Sequence, residues 1–308
     1  MKLNSARNNF FQAIGSYMEE DDIYIVSADL AGPPFDAIRA NHPNRYVSVG
    51  IAEQNMISVA LGLALAGKKT IAYTSNPFIA FRAFDQIRNG LSMMHLPLTI
   101  VGVGTGFSIS EYGTTHFVTE DVAMMSLCPG LKQITISDDT VADSAVNYVR
   151  ENHGPLYLRF DKECGGTIGG DKPDIQTGFR QIYSGKIPKV TLVTQGYLSQ
   201  VVSRMDWSNE PVEIYDVFTN PFNYEAFLRK LNSDNTVIVC EEQQLRGGLG
   251  SIILEAMNDA GRGQKVVRMG VDYKNAFPET YGTRNHWLEH YQISEDAIRN
   301  CVNSVLNS

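Results

Sequence analysis

Short apolar runs recur along this chain with a rhythm that only one broad class of fold accommodates. Strand-length runs stand at 23–28, 46–49, 70–74, 98–103, 132–136 and 156–160, and stretches with helical character fill the gaps at 51–66, 79–93, 119–127 and 140–151. Strands separated repeatedly by helices are joined most simply as parallel neighbours with crossover helices, so the pattern predicts a parallel α/β sheet covered on both faces. Over 161–188 the composition changes to DKECGGTIGGDKPDIQTGFRQIYSGKIP, rich in glycine and without long apolar periodicity, which reads as a linker. Alternation restarts with KVTLVTQG (189–196) and continues through VEIYDV (212–217), TVIVCEE (236–242) and KVVRMG (265–270), ending in an amphipathic helix from Ser294. The expectation is two doubly wound, mostly parallel-sheet domains, 1–160 and 189–308.

One stretch breaks its own pattern. In VGIAEQNMISVALGLALAG (49–67) the residues are apolar or small on every side of a 3.6-residue helix, and such a helix is normally buried all round. Its polar residues, Glu53, Gln54 and Asn55, sit together in the first turn. Glu53 there either faces the positive end of the helix dipole, worth about 0.3–1 kcal/mol, or is a carboxyl group in a low-dielectric site with a raised pKa, suited to proton exchange with a bound group. In open α/β sheets ligands collect beyond the carboxyl ends of strands, which draws attention to Asp29, Glu53, the 78–84 segment and the 104–116 loop.

Composition excludes several classes. A chain of 308 residues with 43% hydrophobic and 19% charged residues suits two globular domains rather than disorder. The net charge of −8 comes without a long single-sign block, so neither nucleic acid nor an anionic membrane is an expected partner. The N-terminus lacks a secretory pattern and no run of about 18 apolar residues occurs, which points to a cytoplasmic protein. The four cysteines are scattered without a CxxC pair, so they are expected as reduced structural thiols rather than zinc ligands or disulfides. GGLG (247–250) opens a helix but has neither the full dinucleotide glycine spacing nor a P-loop lysine, and is assigned no cofactor.

Taken together and in order, VSADL (26–30), VGIAEQN (49–55), YTSNPFIAFRAFDQIRN (73–89), YGTTH (112–116), ED (120–121), GPLYLRF (154–160) and VIVCEEQQLRGGLG (237–250) resemble the C-terminal half of a transketolase. They are similar to the stand-alone subunit found where that enzyme is split into two chains. The resemblance covers nearly the whole chain. It implies a pyrimidine-binding domain followed by a transketolase C-terminal domain, thiamine diphosphate as cofactor, and transfer of a two-carbon ketol unit from a ketose or ketose phosphate to an aldose.

The diphosphate and its Mg²⁺ are held in the family by a Gly-Asp-Gly element with a downstream Asn, and no Gly-Asp-Gly occurs here. An N-terminal partner subunit is therefore expected to supply that site and the metal ligands, in a heterotetramer or larger assembly, with self-association through the pyrimidine-binding and C-terminal domains. This chain contributes no metal ligand in that reading.

By the resemblance, Glu53 matches the glutamate that hydrogen-bonds ring nitrogen N1′ of the aminopyrimidine and manages its proton. Phe78, Phe81 and Phe84 match aromatic positions against that ring, with Phe81 and then Phe78 favoured for stacking; simple core packing is the alternative for three rings spaced by three. His116 matches a histidine that contacts substrate oxygen, whereas His42, His95, His153, His286 and His290 lack that context and are expected to be surface or structural. Arg7, Asp29 and Arg159 match substrate-binding positions, the arginines suiting a phosphate. Tyr112 stands where the family has Asp, Phe117 where it has Gln, and Gly104 where many members have a phosphate-contacting His. The Tyr112 and Gly104 departures predict an acceptor other than ordinary pentose phosphates. A 1-deoxyxylulose-5-phosphate synthase-like or 2-oxoacid dehydrogenase β-type subunit shares the glutamate and domain order, and a non-catalytic regulatory subunit is the reading from another class. Keeping both Glu53 and His116 counts against the last.

Overall fold

A computed structural model describes residues 5–30, 32–151, 154–274 and 276–308; His153 lies outside them. The chain forms two compact units, one built from the residues up to Thr105 together with Met124–Gly166, the other from Gly106–Ala123 and Thr167–Ser308.

In the first unit, β1 (Ile23–Ser27), β2 (Tyr46–Ser48), β3 (Lys69–Ser75), β4 (Leu98–Val103), β5 (Lys132–Ile136) and β6 (Leu156–Phe160) lie in the order β5-β6-β4-β3-β1-β2 with every pairing parallel. The chain passes from β1 to β2 on one side and then back to β3 on the other, so the order reverses at β1 and β3, where sheets of this kind take their ligands. On one face, strand residues Val26, Ala72, Ile100 and Tyr157 pack against Met56, Ile57 and Ala60 of helix α3 (Glu53–Leu65) and against Ile79, Ile87 and Leu91. On the other, α1 (Ala6–Tyr17), capped by Ser5, sets Phe10 on Phe160 and Phe11 on Phe35 and Tyr73, with ring centroids 4.5–5.2 Å apart. The α/β reading of the alternation holds in both units.

Helix α3 departs from the expectation of burial on every side. Met56, Ile57, Ala60 and Ala64 are buried, but Gln54, Ser58, Gly62 and Leu65 form an exposed stripe at helical spacing, with Leu65 60% exposed. Beyond Gln54 the wet face carries small and apolar residues, which is why periodicity alone could not find it. The segment expected as one helix over 79–93 is likewise irregular: π turns Phe78–Arg82 and Ile87–Ser92 flank a short α turn, Phe84–Gln86. Gly90 lies so close to α3 that a Cβ there would stand 2.2 Å from the Leu61 side chain.

In the second unit, β7 (Phe179–Ser184), β8 (Val190–Thr194), β9 (Val212–Val217), β11 (Thr236–Gln244) and β12 (Val266–Val271) are ordered β12-β11-β8-β9-β7, and a two-residue strand, β10 (Thr219–Asn220), follows β9. All pairings are parallel except β7 with β9. Strand β7 falls inside 161–188, a stretch without visible strand patterning because Arg180 takes an inward position. Its charge is matched by Asp216 of β9, 3.1 Å away, with both side chains at 2% exposure or less.

Gly106–Ala123 packs into this unit's core. Phe107 stacks near Trp287 and Tyr291, and Phe117 meets Phe107 and Trp287 edge-on at 5.1 and 5.2 Å. Phe117 is 2% exposed and works as an anchor.

Candidate functional site

Glu53 is the first residue of α3. The chain leaves β2, bends at Gly50 with φ +73°, and enters the helix without a side-chain cap, so the carboxylate lies by the positive helix end. It is 4% exposed. Arg82, from the π turn after β3, donates from Nη1 to both carboxylate oxygens at 3.2 and 3.1 Å. The guanidinium carbon lies 4.0 Å from the centroid of the Phe78 ring, a cation–π arrangement. Ile51, Ala52, Glu53, Gln54, Asn55 and Arg82 line an open depression of about 510 Å³. One buried acceptor, one planar cation and one aromatic face thus converge at the carboxyl ends of β2 and β3.

The three phenylalanines do not share a face. Steps of three residues fall about 60° short of a full helical turn each time, and the chain here is not one regular helix. Phe78 is half-buried under Arg82 and Phe81 is 38% exposed, whereas Phe84 packs against the hydrophobic core beneath α3. Phe84 is partly buried against that core, the arrangement that the packing alternative describes.

Arg7 begins near the loop after β1. Its Nε and Nη2 donate to Asn8 Oδ1 at 3.1 and 2.8 Å, and Nη1 reaches Tyr73 Oη at 3.4 Å. Burial pushes the Tyr73 phenol up, with the Arg7 charge acting against that shift. A Cβ on Gly32 would lie 3.8 Å from Arg7 Nη2, so Arg7 borders the same loop as Asp29, which is exposed at φ +53°. Arg159 is different. It lies within β6 at 1% exposure and donates to Thr135 Oγ1 at 2.6 Å, so a phosphate would have to compete for a guanidinium already engaged inside the sheet.

In the second unit, Tyr112 and His116 sit on consecutive short helical turns separated by Gly113 at φ +87°. Their rings are 5.3 Å apart, Tyr112 is 67% exposed, and His116 Nδ1 is 3.0 Å from Thr115 Oγ1. Nearby, Glu120 accepts from the Thr119 amide and hydroxyl at 3.0 and 2.7 Å, and burial raises its carboxyl pKa. The GGLG helix start is already filled: Glu241 accepts from the Leu249 and Gly250 amides at 2.6 and 2.8 Å. That carboxylate takes the place a phosphate would use.

Arg82 was missed from sequence, though a lone cation among three aromatics is a visible signal. Asn76 was missed as well: it is fully buried, accepts from the Tyr157 hydroxyl, and is accommodated because residue 102 is glycine, where a Cβ would stand 2.0 Å from its Oδ1. Gly104 adopts φ +91°, so a histidine there would be strained whatever its chemistry. All four cysteines are free. Among the described residues no group of three or more His, Cys, Asp or Glu is arranged to hold a metal, and no helix is long and apolar enough to cross a membrane.

The family model for the transketolase pyrimidine-binding domain matches residues 4–166. A putative transketolase C-terminal section from Methanocaldococcus jannaschii is 27% identical over 90% of this chain and 88% of its own length. One of the subunits of an apulose-4-phosphate transketolase from Actinobacillus succinogenes is 27% identical over 83% of each chain. A solved structure described as a split-gene transketolase, inactive beta4 tetramer, superposes with a TM-score of 0.79 over 98% of both chains at 24% identity, which establishes the common fold.

Proposed function

Because this chain belongs to the transketolase family through its pyrimidine-binding domain, we propose that it is the C-terminal subunit of a split, thiamine-diphosphate-dependent transketolase. In this reading it acts with an N-terminal subunit that holds the diphosphate and Mg²⁺. The observation that carries the proposal is Glu53: a carboxylate 4% exposed, at a helix N-terminus, opening on a depression lined by Arg82, whose guanidinium lies over the Phe78 ring. Those residues fit an aminopyrimidine, which needs an acceptor for a ring N–H and a flat apolar contact. The relatives named as a C-terminal section and as one subunit of a transketolase support the division into two chains.

When bound, thiamine diphosphate supplies the nucleophilic carbon that takes up a two-carbon unit. The chain's own residues do the rest. Glu53 accepts and returns the proton at N1′, and Phe78 and Phe81 offer faces to the pyrimidine. His116 hydrogen-bonds substrate oxygen and Tyr112 meets the acceptor. Arg7, with Asp29 on the bordering loop, takes the polar end of a sugar or sugar phosphate, and Arg159 joins them only by giving up Thr135. The exposed stripe of α3, with Leu65 at 60% exposure, and Ile51 just ahead of the helix at 76%, support association with other subunits in a heterotetramer, since covering apolar surface is favourable by about 25 cal/mol per Å².

The test is Glu53→Gln assayed with the purified N-terminal subunit and excess thiamine diphosphate. A glutamine can hydrogen-bond N1′ but cannot trade its proton, and general acid–base contributions of this kind are worth about 10²–10⁴ in rate. We expect kcat to fall by at least ~100-fold with partner binding intact. Turnover at the wild-type rate would overturn the assignment.

A further inference from the structure

The guanidinium of Arg82 makes, from within the chain, the two contacts that a cationic aminopyrimidine would make from outside. It donates N–H to both oxygens of Glu53, and its central carbon lies over the Phe78 ring, 4.0 Å from the centroid. Both groups are planar, delocalised nitrogen cations with N–H donors at the rim. The pair is also lopsided: Glu53 is 4% exposed and Arg82 51%. The carboxylate is fixed by the helix start, while the arginine reaches it from the wet side of the depression and has solvent to return to. A guanidinium this close to Phe78 leaves no room for a second flat ring on the same face, since aromatic partners need centroids about 4.5–7 Å apart.

We propose that Arg82 is a positioning residue that stands in for the aminopyrimidine in the unassembled chain. It keeps the Glu53 carboxylate paired and Phe78 covered until cofactor and partner arrive, and swings to solvent when the ring enters. The inference rests on the assignment of Glu53 to the pyrimidine, and adds a displacement step that the assignment does not require. Cofactor binding must then break the Arg82 contacts, and the intrinsic affinity is lowered by that amount.

The test is calorimetric binding of thiamine diphosphate to the full chain, alone and with its N-terminal subunit, for wild type, Arg82→Met, Arg82→Lys and Glu53→Gln. Methionine keeps an apolar stem and removes the competing N–H donors. We expect Arg82→Met to bind about tenfold more tightly than wild type, Arg82→Lys to fall between them, and Glu53→Gln to bind more weakly. The lysine variant also guards against misfolding of the methionine variant. If Glu53→Gln weakens binding while neither Arg82 variant tightens it, Arg82 is no stand-in, although the cofactor site survives. Thiamine diphosphate binding that is indifferent to Glu53→Gln overturns both the site and the role of Arg82.

Discussion

Each unit contains a glutamate paired with an arginine whose guanidinium lies over an aromatic ring, and the two pairs differ in how they are joined and in how far they open to water. Glu242 and Arg284 are each 7% exposed, joined through Nε at 2.9 Å and through Nη2, with the guanidinium carbon 3.3 Å from the Tyr197 ring centroid. Glu53 and Arg82 share a single nitrogen between two oxygens, with the arginine half in solvent. The closed pair is locked from both ends, since freeing either member would strand a desolvated charge. The open pair binds only its glutamate to the fold. Exposure of one partner, rather than the identity of the residues, separates a structural ion pair from one able to change partners.

That contrast can be broken by substitution. Arg284→Met should destabilise the protein by about 3–5 kcal/mol, because it leaves the Glu242 charge buried and alone, whereas Arg82→Met should cost less, because the depression that Glu53 lines lets water take the place of the guanidinium. Denaturant titration of the two variants side by side decides it; equal losses would mean that Arg82 is as structural as Arg284. Phe117→Gln should cost about 3 kcal/mol by removing an aromatic anchor and burying an amide between Phe107 and Trp287. A smaller loss would show that Gly106–Ala123 is held by other contacts.

The smallest effect belongs to an exposed position. Tyr112 is 67% exposed, so Tyr112→Asp should leave the melting temperature unchanged while raising kcat/KM for ordinary pentose phosphate acceptors several-fold, measured on a panel of aldehydes with the partner subunit. No change in the ratio between acceptors would sink the reading of that loop. Adding Gly104→His would confuse the result because of the strain at φ +91°.

The legible parts of this chain were those in which a local pattern matched its surroundings. Strands β1 and β3–β6 announced themselves because largely buried parallel strands read as apolar runs, and Glu53 stood out because an ionisable residue opened an apolar helix. Strand β7 stayed hidden behind Arg180, whose partner Asp216 is 36 residues away, and no window of sequence contains both. Phe84 looked like its two neighbours in spacing, yet packs elsewhere because the turns around it are not regular.

By itself the sequence determined the α/β class, the alternation that builds both units, and the carboxylate at the head of α3, all of which depend on residues close in the chain. Tertiary structure decided the rest: that Gly106–Ala123 belongs to the core of the second unit, that α3 keeps an exposed stripe, that Arg159 is engaged inside the sheet, and that Arg82 closes over Glu53. The physical reason is range. Periodicity and propensity act over a few residues, whereas burial of a charge or a ring is settled by whichever distant segment supplies its partner, 29 residues on for Glu53 and Arg82.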